Sequence, residues 1–234
     1  MKIAVLDLTT HPAELAGFPR VWEQIVAWLS PALPEAEMIP FDVAQGGAPL
    51  PKPADFDGLL LSGSEFGVYD DTPWMAPLRQ LLLDTKAAGK PIYGICFGHQ
   101  LMADTFGGKA EKAVQGNQLG ARSFDLGGTA ASAMVWHQDQ VTAVPAGATV
   151  TGSASYCPVG ALAYDFPAAS VQFHPEYREP HLRQLYDIFL GSAVTAEERA
   201  TALASFDDHT VAHDLQAQET AAFLRKHAPA AASS

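Results

Sequence analysis

Pro91-Ile92-Tyr93-Gly94-Ile95-Cys96-Phe97-Gly98-His99-Gln100-Leu101-Met102-Ala103-Asp104-Thr105-Phe106 is the stretch whose reading decides the fold. Pro91 to Ile95 reads as a short buried strand, and Leu101 to Phe106 as the body of a helix. Between them, Gly94-Ile95-Cys96-Phe97-Gly98 has the Gly-x-nucleophile-x-Gly spacing of a nucleophile elbow, with cysteine at the centre. A turn this sharp leaves little room for side chains two residues before and two after the nucleophile, a physical reason for both glycines. The elbow presents the Cys96 sulfur at a helix N-terminus, where partial positive charge favours a thiolate. A thiolate is the attacking species in acyl transfer. The bland alternative is a buried structural cysteine after a core strand, and a second motif downstream decides against it.

Upstream, Ile3–Leu8 is a β-branched and leucine-rich run suited to a central parallel strand. Val21–Leu29 carries apolar residues at helical spacing and stops at Pro31. Met38–Phe41 reads as a second strand, and Gln45–Pro53 as a Gly/Pro-rich loop. Asp57-Gly58-Leu59-Leu60-Leu61-Ser62-Gly63-Ser64 runs a third strand into a turn of small residues, whose N–H groups are able to face an oxyanion. The spacing then predicts a helix with Asp71 or Thr72 as cap, Pro73 at its first position, and Leu78, Leu81 and Leu82 on one face. Seven short β-like runs follow between residues 109 and 173 with no helical period among them, as expected of antiparallel strands added to, or packed beside, the first sheet.

The deciding motif is Val171-Gln172-Phe173-His174-Pro175-Glu176. An apolar strand delivers His174 at its carboxyl end, where open α/β sheets place their sites. Glu176, two residues on, is close enough to orient the imidazole. One helix over residues 181–190 and two more over 195–227 are expected, then a frayed Ala/Ser tail at 228–234. Composition narrows the function classes. The 234 residues are 48% hydrophobic, enough for a sizeable core. A net charge of −12 argues against a nucleic-acid surface. Two cysteines, Cys96 and Cys157, make no disulfide framework and no C-x-x-C pair, so reduced thiols in the cytoplasm are expected. The first residues read as a strand, too short for a signal sequence, and no apolar run is membrane-spanning, so no membrane association is expected.

Gly-Ile-Cys-Phe-Gly-His-Gln together with Gln-Phe-His-Pro-Glu resembles the class I glutamine amidotransferase family, and in particular stand-alone relatives of the amidotransferase domain of GMP synthetase. Leu-Leu-Leu-Ser-Gly-Ser with the following Val-Tyr-Asp-Asp, and Trp136-His137-Gln138-Asp139, are similar to further family segments near the site. The likeness spans about residues 1–190 and leaves 191–234 as a helical extension and tail. It implies a flavodoxin-like three-layer α/β sandwich, with a mostly parallel central sheet and an antiparallel extension. It also implies Cys96 as nucleophile, His174 as base and Glu176 as the orienting carboxylate. Gly63 and Phe97 would supply the oxyanion N–H groups, and Gln100 would hold the α-amino-acid end of the substrate. His99 is given no catalytic role. Where many relatives have two glycines this chain has Gly63-Ser64.

No cofactor and no metal is expected. Cys96, His99 and the His-x-Glu at 174–176 have spacings found among zinc hydrolases, but those need the missing cysteine pair. No phosphate loop is present, and residues 191–234 are too few for an ATP-dependent synthetase domain. Two enzymatic readings follow: a glutaminase passing ammonia to a synthetase partner, or a free-standing hydrolase of glutamine, γ-glutamyl amides or γ-glutamyl peptides. A non-catalytic binding module on the same fold is the reading from another class.

Overall fold

The computed structural model describes residues 1–228; most of the expected tail lies outside the described residues. The N-terminal run forms β1 (Lys2–Asp7), followed by α1 (Val21–Leu29) and β2 (Glu37–Asp42). β3 (Gly58–Leu61), α2 (Met75–Ala87), β4 (Ile92–Ile95) and α3 (Phe97–Thr105) complete the first half. The second half contains β5 (Lys109–Lys112), β6 (Gln118–Leu126), β7 (Thr129–His137), β8 (Asp139–Ala143), β9 (Ala148–Ala154), β10 (Cys157–Tyr164) and β11 (Ala168–Val171). Three helices follow: α4 (Glu179–Ile188), α5 (Ala196–Asp208) and α6 (His213–His227).

Nine strands join in one sheet in the order β2-β1-β3-β4-β11-β10-β9-β6-β7. The first five pair in parallel, and β10, β9, β6 and β7 continue as antiparallel strands. The mostly parallel core with an antiparallel extension is therefore as the sequence implies. Residues 109–173 depart from the antiparallel expectation at one strand, and supply both an addition to the sheet and a pair beside it. β11 belongs to the parallel core, pairing with β4 so that Val171 lies opposite Ile95. β5 and β8 leave the sheet and pair with each other in a separate ribbon.

Alternation along β1 sets the layers. Ile3 and Val5 point to one face, where they pack with Ile25 and Leu29 of α1 and Ala221 and Leu224 of α6. Ala4 and Leu6 point to the other, with Leu78 and Leu82 of α2 and Leu101 and Met102 of α3. This is a three-layer sandwich. A third cluster under the antiparallel extension joins Leu119 and Met134 to Leu182 and Tyr186 of α4 and Ala202 and Phe206 of α5. The last two helices thus contribute to the main hydrophobic clusters. α6 is fitted closely: a Cβ on Gly58 would lie 2.9 Å from Ile3 and 3.5 Å from Leu224.

One boundary differs from expectation. α2 begins at Met75 and has no side-chain cap, so Pro73 is in the preceding turn rather than at the first helical position. The Met75 N–H bonds to the Thr72 carbonyl, which makes 72–75 a separate turn before the helix. No helix among the described residues is long and apolar enough to cross a membrane.

Candidate active site

The elbow has the sterics its sequence suggests. A Cβ on Gly94 would fall 2.5 Å from Met102 Sδ and 2.7 Å from the Gly98 carbonyl carbon; one on Gly98 would fall 2.8 Å from Leu61 Cβ. Strand and helix meet with no space for either methyl. Cys96 between them has φ 51° and ψ −102°, and is the one non-glycine residue at positive φ among the described residues. Such a backbone costs about 1–3 kcal/mol and persists where the surroundings over-determine it. Here the Cys96 N–H is fixed to the Val171 carbonyl at 2.8 Å, and the Cys96 carbonyl accepts from the Gln100 N–H at 3.0 Å.

The parallel pairing of β11 beside β4 brings the second motif to the same sheet end. His174 is anchored by its N–H to the Met134 carbonyl at 2.8 Å. Its Nδ1–H donates to Glu176 Oε1 at 2.7 Å, because the carboxylate can only accept. That fixes the tautomer and turns Nε2 the other way. Nε2 and Cys96 meet at Gly63. A Cβ on Gly63 would lie 2.6 Å from His174 Cε1, 3.5 Å from Nε2 and 3.6 Å from Cys96 Cβ. The absent side chain of Gly63 is the space the imidazole occupies. Cys96, His174 and Gly63 are therefore packed around one point, with Glu176 behind the ring.

His174 and Glu176 are both 2% exposed. Burial pushes the imidazole pKa down, but the Glu176 carboxylate, with Cys96 adding in the same sense, outweighs it and raises the value to about 10. The imidazolium is thus the form favoured near neutrality. Tyr177 stacks on the ring at 4.0 Å and 1°, closing its far face. The other two histidines nearby are neutral. His137 is pushed down to about 4 by burial, and His99 down to about 3 by the same cause. Both nitrogens of His99 are engaged, Nε2 donating to the Val159 carbonyl at 3.1 Å and Nδ1 accepting from Ser170 Oγ at 2.8 Å. It braces α3 against β10 and β11, as the reading without a catalytic role implies, and has no lone pair to offer a metal. Among the described residues there is no cluster of three or more His, Cys, Asp or Glu able to hold one.

The Cys96 thiol has two further neighbours. Gln172 Nε2 approaches Sγ at 3.5 Å, and the Trp136 carbonyl lies 3.8 Å away. Gln100 is placed on α3 behind this pair: its Nε2 donates to the Asp139 carbonyl at 2.8 Å and to Gln172 Oε1 at 3.1 Å. Among the described residues the N–H groups of Gly63 and Phe97 have no backbone acceptor. The Ser62–Ser64 turn is held by its hydroxyls. Ser62 Oγ accepts from the Leu8 N–H at 2.9 Å, and Ser64 Oγ donates to the Leu8 carbonyl at 2.6 Å. Ser64 in place of glycine thus ties the turn to the end of β1.

Sequence reasoning missed Tyr177 and Gln172. Gln172 lies within the quoted motif and Tyr177 directly follows it, but stacking and a sulfur contact leave no spacing signature. It also missed a cleft of about 710 Å³ running from His174, His137 and Ser64 out between the loop after β1 and the α4–α5 connection.

Comparison with known proteins places the fold in a family. Residues 34–187 match the model of the family described as glutamine amidotransferase class-I. The chain belongs to the class I glutamine amidotransferase family. It is similar to gamma-glutamyl peptidase 3 of Arabidopsis thaliana, 30% identical over 160 residues that cover 62% of this chain and 64% of the relative. It is also similar to GMP synthase [glutamine-hydrolyzing] of Azoarcus sp. (strain BH72), 34% identical over 192 residues, 75% of this chain and 34% of that one. The matches thus span less than two thirds of either relative's length. Among solved structures, a glutamine amido transferase from Methylobacillus flagellatus superposes with TM-score 0.73 at 20% identity, covering 99% of this chain and 96% of that one, a likeness of fold.

Proposed function

We propose that the protein hydrolyses a γ-glutamyl amide through a γ-glutamyl thioester on Cys96. The Cys96 thiolate attacks the γ-carbonyl carbon. The tetrahedral oxyanion is received by the N–H groups of Gly63 and Phe97, which have no backbone acceptor among the described residues. His174, held by Glu176, gives its Nε2 proton to the departing nitrogen as the C–N bond breaks. The neutral imidazole then takes a proton from water as that water attacks the thioester; the C–S bond breaks, glutamate leaves, and the Cys96 thiolate and His174 imidazolium are restored. Gln100 has its Nε2 committed, so what it offers the substrate's α-ammonium is its carbonyl oxygen.

The observation that carries this reading is the crowding at Gly63, where the Cys96 and His174 side chains converge within van der Waals range of one missing methyl. The relatives named GMP synthase and gamma-glutamyl peptidase support γ-glutamyl chemistry of this kind. The GMP synthase relatives also support a second reading, in which the ammonia released from glutamine passes to a synthetase partner. The test is glutamate release from glutamine and from a γ-glutamyl dipeptide, with Cys96→Ala as the blank. Loss of turnover at an unchanged melting temperature is expected; wild-type turnover by Cys96→Ala overturns the mechanism.

A further inference from the structure

Release of ammonia needs space for little more than one water, about 30 Å³. The cleft that opens from His174 holds about 710 Å³, a size suited to a whole small organic ligand. Its walls come largely from outside the residues that match the family, 34–187. Phe18 lies in the loop after β1, and Phe189 and Glu198 lie beyond the match at the other end. The cleft is therefore walled mainly by segments that flank the family-matched residues.

Its chemistry is one-sided. Phe18, Trp136 and Phe189 give it an aromatic body, and Trp136 and Phe189 pack edge to face with their rings 6.0 Å apart. Its formal charges away from His174 are negative. Glu65 and Glu198 line it, and no Lys or Arg does so among the described residues. Each carboxylate spends one oxygen locally: Glu65 Oε1 accepts from the Thr10 N–H at 2.9 Å, and Glu198 Oε2 from the Thr195 N–H at 2.7 Å. The second oxygen of each remains to face an occupant. Against such a lining a carboxylate is repelled, while an aromatic ring is buried and a cationic group is attracted.

Resting on the thioester reading above, we infer that this cleft binds the leaving group, and that the leaving group is an aromatic or apolar amine that carries no carboxylate. The substrate is then a γ-glutamyl amide of such an amine. The balance is that of simple hydrolysis. Cys96 Sγ bonds to the γ-carbon as the C–N bond breaks, His174 supplies the proton the amine leaves with, and water resolves the thioester to glutamate. No other co-reactant is needed. The cleft walls then hold the amine portion during attack and let it depart outward.

The test compares γ-glutamyl benzylamide, γ-glutamyl phenylalanine and glutamine with the full chain. The first two share an aromatic body and differ by one carboxylate. One unpaired like charge near the cleft acids corresponds to about tenfold or more in kcat/KM, so benzylamide is expected to exceed both others by at least that factor. Glu65→Gln with Glu198→Gln keeps the local hydrogen bonds and is expected to raise kcat/KM for the phenylalanine amide. Phe189→Ala is expected to lower it for the benzylamide. Hydrolysis of all three with equal efficiency, or a preference for glutamine or for the carboxylate-bearing amide, overturns the leaving-group site while the cysteine chemistry stands. Failure to hydrolyse any of them overturns both.

Discussion

Gly63→Ala isolates the geometry on which the site depends. The glycine does not sit at positive φ, so alanine introduces no backbone strain. What it introduces is a methyl carbon 2.6 Å from His174 Cε1. Ordinary carbon–carbon contact is about 3.5–4.0 Å, so the ring must retreat by roughly 1 Å. It has little freedom to do so, with Glu176 Oε1 2.7 Å from Nδ1 and Tyr177 stacked 4.0 Å away on its face. Displacing a catalytic group by about 1 Å costs on the order of 10²-fold in rate. Overpacking of this kind destabilises by about 1–3 kcal/mol. The assay is kcat/KM for the best γ-glutamyl substrate, alongside a thermal melt. A fall in kcat/KM of about 10²-fold with the protein still folded is expected. Activity within twofold of wild type would refute the claim that His174 fills the space over Gly63 in the reacting form.

Three other substitutions read different parts of the structure. Cys96→Gly removes the cost of a non-glycine residue at φ 51°, about 1–3 kcal/mol, against about 1 kcal/mol for glycine's extra chain entropy; it should melt no lower than Cys96→Ala by differential scanning calorimetry. Glu176→Gln removes the charge that opposes burial in raising His174 to about 10. Because that folded-state value lies above the unfolded one, the imidazolium's stabilisation is complete below about pH 6.5 and is lost as pH rises through the folded value. Wild type should therefore lose melting temperature between neutral pH and about 10, and Glu176→Gln should lose less over the same interval. Leu224→Ala tests whether α6 is part of the core: Leu224 is fully buried, so a loss of about 2–5 kcal/mol in urea unfolding is expected, and a loss under 1 kcal/mol would mark the helix as peripheral.

The parts of this fold that could be read from sequence are those dictated by local sterics or periodicity. Val21–Leu29 has the helical spacing and the proline stop that bound α1. Gly94 and Gly98 declare a turn in which Met102 and Leu61 leave no room for a Cβ. Strand partners were less legible, because a short apolar run looks the same in either direction. Ala168–Val171 reads like its antiparallel neighbours, yet it lies parallel to β4, and that pairing is what brings His174 to Cys96. The role of Gly63 needs the imidazole in place before it can be seen. The cleft is less legible still, since it joins Phe18 and Glu65 to residues more than a hundred positions away in the α4–α5 region.

The central claim, covalent catalysis by Cys96, is tested most directly by acid-quenching the protein during turnover of a γ-glutamyl amide and measuring its intact mass and that of the elbow peptide. The account predicts a γ-glutamyl adduct on Cys96 that disappears as substrate is exhausted and never forms in Cys96→Ala. An adduct on another residue, or turnover by Cys96→Ala with no adduct at all, would contradict it.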